Sequence, residues 1–216
     1  MQLFVSLKII VEEYQIADWA CRFIEEYQAA VARPRGDNRE RDVISRRTED
    51  KRWVPPDKGI FKINVDAGFD RSRKIYSTGV VIRDWEGRVR VTEERWYQGH
   101  PEVSLGEACA IRNGIRLAYE TNLTPYEISS DSKVAVESFN NTNMQGSDMS
   151  LIVEDCSKLE GRNFCLGIYF AGRNTNFVAH ELAKRALAQS QGCLRRMGNA
   201  PPEIHQFVMA DLTSPA

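Results

Sequence analysis

Three acidic residues stand at positions where a carboxylate is costly unless something positive binds it. Asp66 interrupts the alternating stretch INVDAGF, Glu107 lies near the start of an amphipathic segment, and Asp131 follows the short run YEISS. Carboxylates a few ångströms apart repel one another, and a divalent cation removes that cost. Such oxygen ligands suit Mg²⁺ or Mn²⁺, and two ions about 4 Å apart can clamp both oxygens of a phosphodiester displacement. If the three acids meet, the sequence predicts a metal site for phosphodiester hydrolysis.

Each acid also has a simpler structural interpretation. Ser104 and Glu107 have the spacing of a capping box, in which the third helical residue caps the backbone. Asp131 fits the N-cap of a following helix, and Asp66 fits a strand end that faces water. Taken singly, each of these interpretations is favoured over metal binding. The convergence of all three acids in one topology reverses that preference.

The elements that would bring the acids together follow from hydrophobic periodicity. Three alternating segments between residues 59 and 97, joined by the turns RSRK and WEGR, predict an antiparallel meander. Beyond them the pattern predicts, in order, helix 104–121, strand 126–130, helices 132–140 and 148–162, strand 163–172 and helix 175–192. The sequence therefore predicts an α/β fold, with helices on the faces of a mixed sheet whose first and fourth strands can be neighbours.

The chain divides into three parts by composition. Residues 1–52 hold an amphipathic helix, predicted over 3–32, and a linker crowded with mixed charges. Residues 53–192 contain the predicted sheet and its helices, and residues 193–216, with Pro201 and Pro202, are predicted to be a loose C-terminal tail. The apolar stripe of the N-terminal helix also fits a protein-docking surface, or packing on the domain or on a second copy.

The composition excludes several classes of function. The 216 residues carry a formal net charge of −1, so nucleic-acid contacts must come from local patches. There are 5 cysteines without a C-x-x-C pair, which argues against a disulfide framework or a zinc site. No apolar run reaches the roughly 18 residues of a membrane span, and the N-terminus lacks signal-peptide features. We expect an intracellular protein, cytoplasmic or nuclear, without a membrane partner.

Five sequence blocks are similar, in order and spacing, to those of a known family. They are WVPPDKGIFKINVDAGF, GVVIRDWEGRV, GEACAIRNGIRLAYE, ISSDSKVAVESF and RNTNFVAHELAKRAL. From Trp53 to Leu187, nearly two thirds of the chain, the sequence resembles the plant-type ribonuclease H-like domain (RNase H type 1). That family is related to the ribonuclease H modules of reverse transcriptases and non-LTR retrotransposons.

The resemblance implies a ribonuclease H-like fold, with a five-stranded mixed sheet in the order 3-2-1-4-5 and helices on both faces. It also implies cleavage of the RNA strand of RNA–DNA hybrids with two Mg²⁺ or Mn²⁺ ions. The family's metal-binding acids match Asp66, Glu107 and Asp131. Its fourth catalytic acid, in the last helix, matches His180 in NFVAHELA. A His is frequent there in the plant-type branch, but it removes a negative charge and suits Mg²⁺ poorly.

Basic residues supply candidates for substrate contact. Arg173, in the loop AGRNTN where family members often carry a His, fits phosphate contact or product release, and equally a structural role at the start of the last helix. Arg71 and Lys74, in the hairpin RSRK, fit phosphate contact or an ordinary solvated turn. The family's VDGAF is VDAGF here, which places a glycine at Gly68 and implies a different approach of substrate near the first acid.

The sequence thus predicts a metal-dependent endonuclease that hydrolyses the RNA strand of RNA–DNA hybrids. The intact acidic triad favours this function. The alternative is a catalytically weak or inactive nucleic-acid-binding module, derived from a retrotransposon ribonuclease H domain. His180 and the near-neutral net charge favour the alternative.

Overall fold

An antiparallel meander of three strands forms the first half of the sheet, as the alternation predicts. Its strands are β1 (Phe61–Asp70), β2 (Ile75–Arg83) and β3 (Val89–Gln98). Gly87 makes the β2–β3 turn with a φ of 78°, a conformation that a residue without a Cβ adopts at little cost. The computed structural model describes residues 52–141, 147–189 and 192–213. The predicted N-terminal helix and the charged linker lie outside the described residues.

Two parallel strands extend the meander on the β1 side. β4 (Tyr126–Ser130) pairs in parallel with β1, and β5 (Cys165–Phe170) pairs in parallel with β4. Parallel neighbours need a crossover connection, which helices supply between β4 and β5. The order β5-β4-β1-β2-β3 confirms the predicted order 3-2-1-4-5. Val65 lies opposite Ser130, so the residues that follow them, Asp66 within β1 and Asp131 just after β4, lie side by side.

Helices cover both faces of the sheet. They are α1 (Val103–Glu120), α2 (Lys133–Asn140), α3 (Asp148–Lys158), α4 (Phe177–Gln189) and α5 (Pro202–Thr213). Alternate strand residues face opposite cores: Val80 and Ile82 belong to the cluster that contains α1, whereas Val81 belongs to the cluster that contains α4 and α5. None of the helices in the described residues is long and apolar enough to cross a membrane.

The C-terminal residues 193–213 pack against the domain, so the prediction of a loose tail there is wrong. They form a sixth strand, β6 (Cys193–Met197), paired antiparallel with β3, followed by α5. Arg195 of β6 lies 2.7 Å from the carboxylate of Glu93, a residue fully buried on β3. Pro202, which contributed to the prediction of a loose tail, is the first residue of α5. A helix tolerates proline there because the first backbone N–H has no intrahelical acceptor.

Candidate active site

The three predicted acids converge at one edge of the sheet. Asp66 lies on β1, Glu107 on α1, and Asp131 directly after β4. Each offers a carboxylate oxygen, and these oxygens all lie within 4.8 Å of one another. The parallel pairing of β1 with β4 brings the two aspartates together, and α1 packs across β1 to deliver the glutamate. The cluster supplies hard oxygen ligands, which suit a divalent cation.

The simpler interpretations of the three acids are wrong. The N-cap of α1 is Glu102, so Glu107 lies in the second turn of the helix and not at the capping-box position. The N-cap of α2 is Ser132, whose hydroxyl accepts a hydrogen bond from the backbone N–H of Ala135. Asp66 is 3% exposed and lies within its strand, away from solvent. No capping or solvation role accounts for the position of these carboxylates.

Burial makes ionisation of the acidic cluster energetically unfavourable without a cation. Burial, together with the charges of Asp66 and Asp131, raises the pKa of Glu107 to about 9. Burial also raises the pKa of Asp66 to about 6, against the opposing hydrogen bond with His180. Oε2 of Glu107 is buried and has no hydrogen-bond partner among the described residues. A buried, unpartnered carboxylate oxygen beside two other carboxylates fits a divalent metal ion, which would bond it and offset the charge.

His180 contacts the cluster directly from α4. Its Nδ1 lies 2.8 Å from Oδ2 of Asp66, which accepts the hydrogen bond. This contact raises the pKa of His180 above its ordinary value, although burial opposes the shift. The position matched to the family's fourth acid therefore contacts the acidic cluster, and it holds an imidazole where an acid would stand.

A comparison with protein families matches residues 64–186, more than half of the chain, to the reverse transcriptase-like family. The chain belongs to this family. The match spans the strands and helices that carry all of the acids and His180. A comparison with curated proteins found no match.

Several solved structures similar to this reverse transcriptase-like domain are ribonucleases H. The N-terminal RNase H domain of a Mycobacterium tuberculosis protein is 20% identical over 61% of this chain and 97% of that chain, with a TM-score of 0.54. RNase H1 from Halobacterium salinarum is 17% identical over 61% of this chain and 99% of its own, with a TM-score of 0.55. LC11-RNase H1, solved in complex with an RNA/DNA hybrid, is 18% identical over 60% and 98%, with a TM-score of 0.53. At these identities the likeness establishes a ribonuclease H-like fold.

Two glycines let the helices of this reverse transcriptase-like domain approach the sheet closely enough to form the site. A Cβ on Gly79, which pairs with Asp66, would lie 2.3 Å from the backbone oxygen of Ala179 in α4. A Cβ on Gly106 would lie 2.4 Å from the ring of Phe69 on β1. Close helix packing at these glycines brings α4 onto β2 and α1 onto β1, next to the acids. Sequence analysis missed both residues, although a glycine inside a strand or helix signals close approach.

The remaining predicted residues lie at different distances from the acids. Arg173 is exposed and close enough for its positive charge to favour the ionised form of Glu107. Arg71 and Lys74 are exposed on the β1–β2 turn, which begins after Asp70. At about 3.3 Å per strand residue, Asp70 is about 13 Å along β1 from Asp66. The structure thus brings Arg173 near the site and leaves the other two basic residues at the far end of the hairpin.

Gly68 has a structural explanation. A Cβ there would lie 2.8 Å from Oγ of Ser77 and 3.0 Å from the side chain of Leu187. The hydroxyl of Ser77 donates a 2.7 Å hydrogen bond to the backbone oxygen of Ala183 in α4. The glycine at this position therefore accommodates the packing of α4 on the sheet.

Proposed function

We propose that this domain is a divalent-metal-dependent endonuclease that hydrolyses the RNA strand of RNA–DNA hybrids. The observation that carries the proposal is the convergence of Asp66, Glu107 and Asp131, with one buried glutamate oxygen that has no hydrogen-bond partner within the described part of the chain. The family match and the ribonuclease H-like fold support the reaction class, and a similar protein, LC11-RNase H1, was solved with an RNA/DNA hybrid.

The three carboxylates would hold Mg²⁺ or Mn²⁺, and we propose two ions. When bound, such ions lower the pKa of water and offset the charge that develops on the phosphate. Asp66 and Glu107 are 3% and 6% exposed, so the protein keeps bulk water away from the ligand oxygens. A low local dielectric strengthens every charge interaction there. Glu107, with its pKa raised to about 9, must lose its proton to act as a ligand.

The neighbouring residues would orient the ligands and the substrate. His180 binds Oδ2 of Asp66 and so fixes the rotation of that carboxylate. Arg173 would contact a phosphate of the strand being cleaved, and Arg71 and Lys74 would contact phosphates farther along the duplex. Discrimination of the hybrid would rest on its shape and on 2′-hydroxyl contacts across the minor groove.

One observation favours a second candidate, a nucleic-acid-binding module with weak or no catalysis. Nδ1 of the His180 imidazole lies within hydrogen-bond distance, 2.8 Å, of Oδ2 of Asp66. Where an acid would add negative charge to a metal site, a protonated imidazole adds positive charge and competes with a cation for that oxygen. The two candidates share one substrate class and differ in whether the hybrid is cut.

Cleavage of a labelled RNA–DNA hybrid tests the proposal. The full chain is assayed in Mg²⁺ and in Mn²⁺ against the hybrid, an RNA duplex and a DNA duplex of the same sequence. We expect cleavage of the RNA strand of the hybrid alone. Asp66→Asn should abolish it, because it removes a ligand charge with little change of shape. Asp148→Asn, on the exposed start of α3, is the matched control and should cut as the wild type does.

The outcomes separate the candidates. Failure of the wild type to cut the hybrid in either metal contradicts the nuclease. If the wild type binds the hybrid in a mobility-shift assay without cutting it, the binding module is supported instead. Equal cleavage by the wild type and Asp66→Asn would show that a contaminating nuclease, and not this site, cuts the hybrid.

A further inference from the structure

The buried side-chain amide of Asn176 contacts the acidic cluster. Asn176, which directly precedes α4, is 1% exposed. Its Nδ2 donates a 2.8 Å hydrogen bond to the backbone oxygen of Val65 and makes a longer, 3.4 Å contact with Oδ1 of Asp131. Its backbone oxygen accepts a hydrogen bond from the N–H of His180. Asn176 therefore touches the residue before Asp66, the Asp131 carboxylate and the first turn of the helix that carries His180.

The orientation of this amide is fixed by a second buried amide. Nδ2 of Asn64, which is also 1% exposed, donates to Oδ1 of Asn176 at 3.1 Å. If the Asn176 amide were reversed, its oxygen would face the Val65 oxygen and the Asp131 carboxylate, and its NH₂ would face another NH₂. Each reversed contact would leave a buried polar group unsatisfied. Asn64 thus keeps the Asn176 NH₂ pointed towards Asp131.

The side-chain amide of Asn64 is connected in turn to the C-terminal helix, α5. Oδ1 of Asn64 accepts hydrogen bonds from Nε1 of Trp53 at 2.9 Å and from Nη2 of Arg83 at 3.1 Å. The Arg83 guanidinium is fully buried, stacks 3.6 Å above the Trp53 ring, and lies 2.6 Å from Oδ2 of Asp211 in α5. These contacts form a continuous series, named here the polar chain, which consists of Asp211, Arg83, Asn64 and Asn176.

We propose that Asn176 is a positioning residue that holds the Asp131 carboxylate for metal binding, and that the rest of the polar chain fixes the orientation of its amide. This inference rests on the proposed function. An amide that donates a hydrogen bond to a ligand carboxylate restricts the orientations of that carboxylate before the cation binds. The C-terminal helix contributes to the metal site in this way, although none of its residues belongs to the acidic cluster.

Mn²⁺ affinity tests the positioning role without requiring catalysis. Mn²⁺ is titrated calorimetrically into the full chain and its variants, at a temperature where circular dichroism shows each to be folded. We expect Asn176→Ala to bind Mn²⁺ about tenfold more weakly than the wild type. Asn113→Ala is the matched control. It removes another buried amide, which bonds Thr78 and Tyr97, and it should bind Mn²⁺ normally.

The distal end of the polar chain has its own matched pair of variants. Asp211→Asn keeps the shape of the side chain and removes its charge, so Arg83 is held less firmly. We expect a smaller loss of Mn²⁺ affinity, about threefold. Glu203→Gln removes a charge from the same helix at an exposed ion pair with Arg185 and should have no effect. This pair decides the test if Asn176→Ala does not fold.

Metal dependence of the rate separates positioning from a merely structural role. If hybrid cleavage is observed, raising the Mn²⁺ concentration should restore the rate of Asn176→Ala, with little change in KM for the hybrid.

Equal Mn²⁺ affinity of Asn176→Ala and Asn113→Ala overturns the inference, as does equal Mn²⁺ affinity of Asp211→Asn and Glu203→Gln. A wild type that binds Mn²⁺ but does not cut contradicts only the proposed function. A wild type that binds no Mn²⁺ contradicts both.

Discussion

Nδ1 of His180 and Oδ2 of Asp66 are 2.8 Å apart, so an imidazole already engages one of the three clustered carboxylates. The contact favours the protonated imidazole and the ionised carboxylate. It therefore offsets part of the repulsion within the cluster, which a divalent cation would also do. Any cation that uses both oxygens of Asp66 must displace this contact, so we expect His180 to influence how readily the site accepts metal.

Replacement of His180 by an acid tests this role. His180→Asp puts a fourth carboxylate beside Asp66, which should raise Mn²⁺ affinity by about tenfold or more because affinity follows ligand charge. Without metal, the same change should lower the free energy of unfolding at pH 8 by about 1–2 kcal/mol, because like charges then crowd together. Calorimetric titration and urea denaturation measure the two effects. His205→Asp, at an exposed position on α5, is the control, and an unchanged Mn²⁺ affinity of His180→Asp would contradict the role.

The raised pKa values predict that the metal-free protein loses stability as pH rises. Glu107 has a pKa of about 9 in the folded protein, against an ordinary value of 4.5, and Asp66 about 6 against 3.8. At a pH between the ordinary and the raised pKa of either group, the folded state binds more protons than the unfolded state. The free energy of unfolding therefore falls with rising pH. The stabilisation is complete below the ordinary values and lost as pH passes through the raised ones.

Urea denaturation at pH 5 and pH 8 in a chelator measures this loss, which should be about 5 kcal/mol for the wild type. Glu107→Gln should show a clearly smaller loss, because it removes the group with the largest shift. Added Mn²⁺ should stabilise the wild type more at pH 8 than at pH 5, since binding requires deprotonated ligands. A wild-type stability that rises between pH 5 and pH 8 in chelator would show that the buried carboxylates are ionised at no cost.

Gly79 determines how closely α4 approaches the acids. In Gly79→Ala the new Cβ would lie 2.3 Å and 2.4 Å from backbone atoms of Ala179 and Ala183, so α4 must move away from β2. We expect a loss of about 2 kcal/mol in the free energy of unfolding. The movement should also separate His180 from Asp66 and return the imidazole pKa towards its ordinary value, which NMR titration measures. Gly172→Ala is the control, because Gly172 has a φ of −61° and open space around it.

Hydrophobic periodicity predicted the five central strands and allowed β1 and β4 to be neighbours, whereas the full strand order came from the family resemblance. The parallel register sets Val65 opposite Ser130, so Asp66 and Asp131 lie side by side where β4 ends. Helix boundaries were less accurate: α1 begins at Val103, so Glu107 is two residues farther into the helix than the capping-box spacing suggested. Local spacing does not reveal which of several polar residues becomes the N-cap.

The C-terminal elements were missed because their stability is not visible as apolar periodicity. β6 has the sequence CLRRM, and its arginines pair with Glu93 and Glu94, which are buried on β3. Buried charges look like surface residues in a sequence until their partners are known. The same holds for Asn64, which alternates with apolar residues, and for Asn176, which ends the polar stretch RNTN; both read as ordinary polar positions. Their role depends on contacts between residues more than one hundred positions apart.

Arg173 should contribute to substrate binding more than the hairpin cations do, because it lies near the acidic cluster. Its positive charge acts on both Glu107 and His180. A phosphate held beside the cluster would therefore meet this guanidinium, whereas Arg71 lies on the turn beyond the end of β1. We expect Arg173→Ala to lower kcat/KM for the hybrid about tenfold and to reduce the salt slope of binding by about 1, as loss of one phosphate contact does.

Two controls separate this effect from a general loss of positive charge. Arg71→Ala removes the same charge from the far end of the hairpin and should change kcat/KM less than Arg173→Ala. Arg88→Ala, whose side chain is exposed and paired with Glu86 on the β2–β3 turn, should change neither kcat/KM nor the salt slope. If Arg173→Ala and Arg88→Ala behave alike, the arginine supports the start of α4 and does not contact a phosphate, and the substrate strand must then be held by cations elsewhere on the domain.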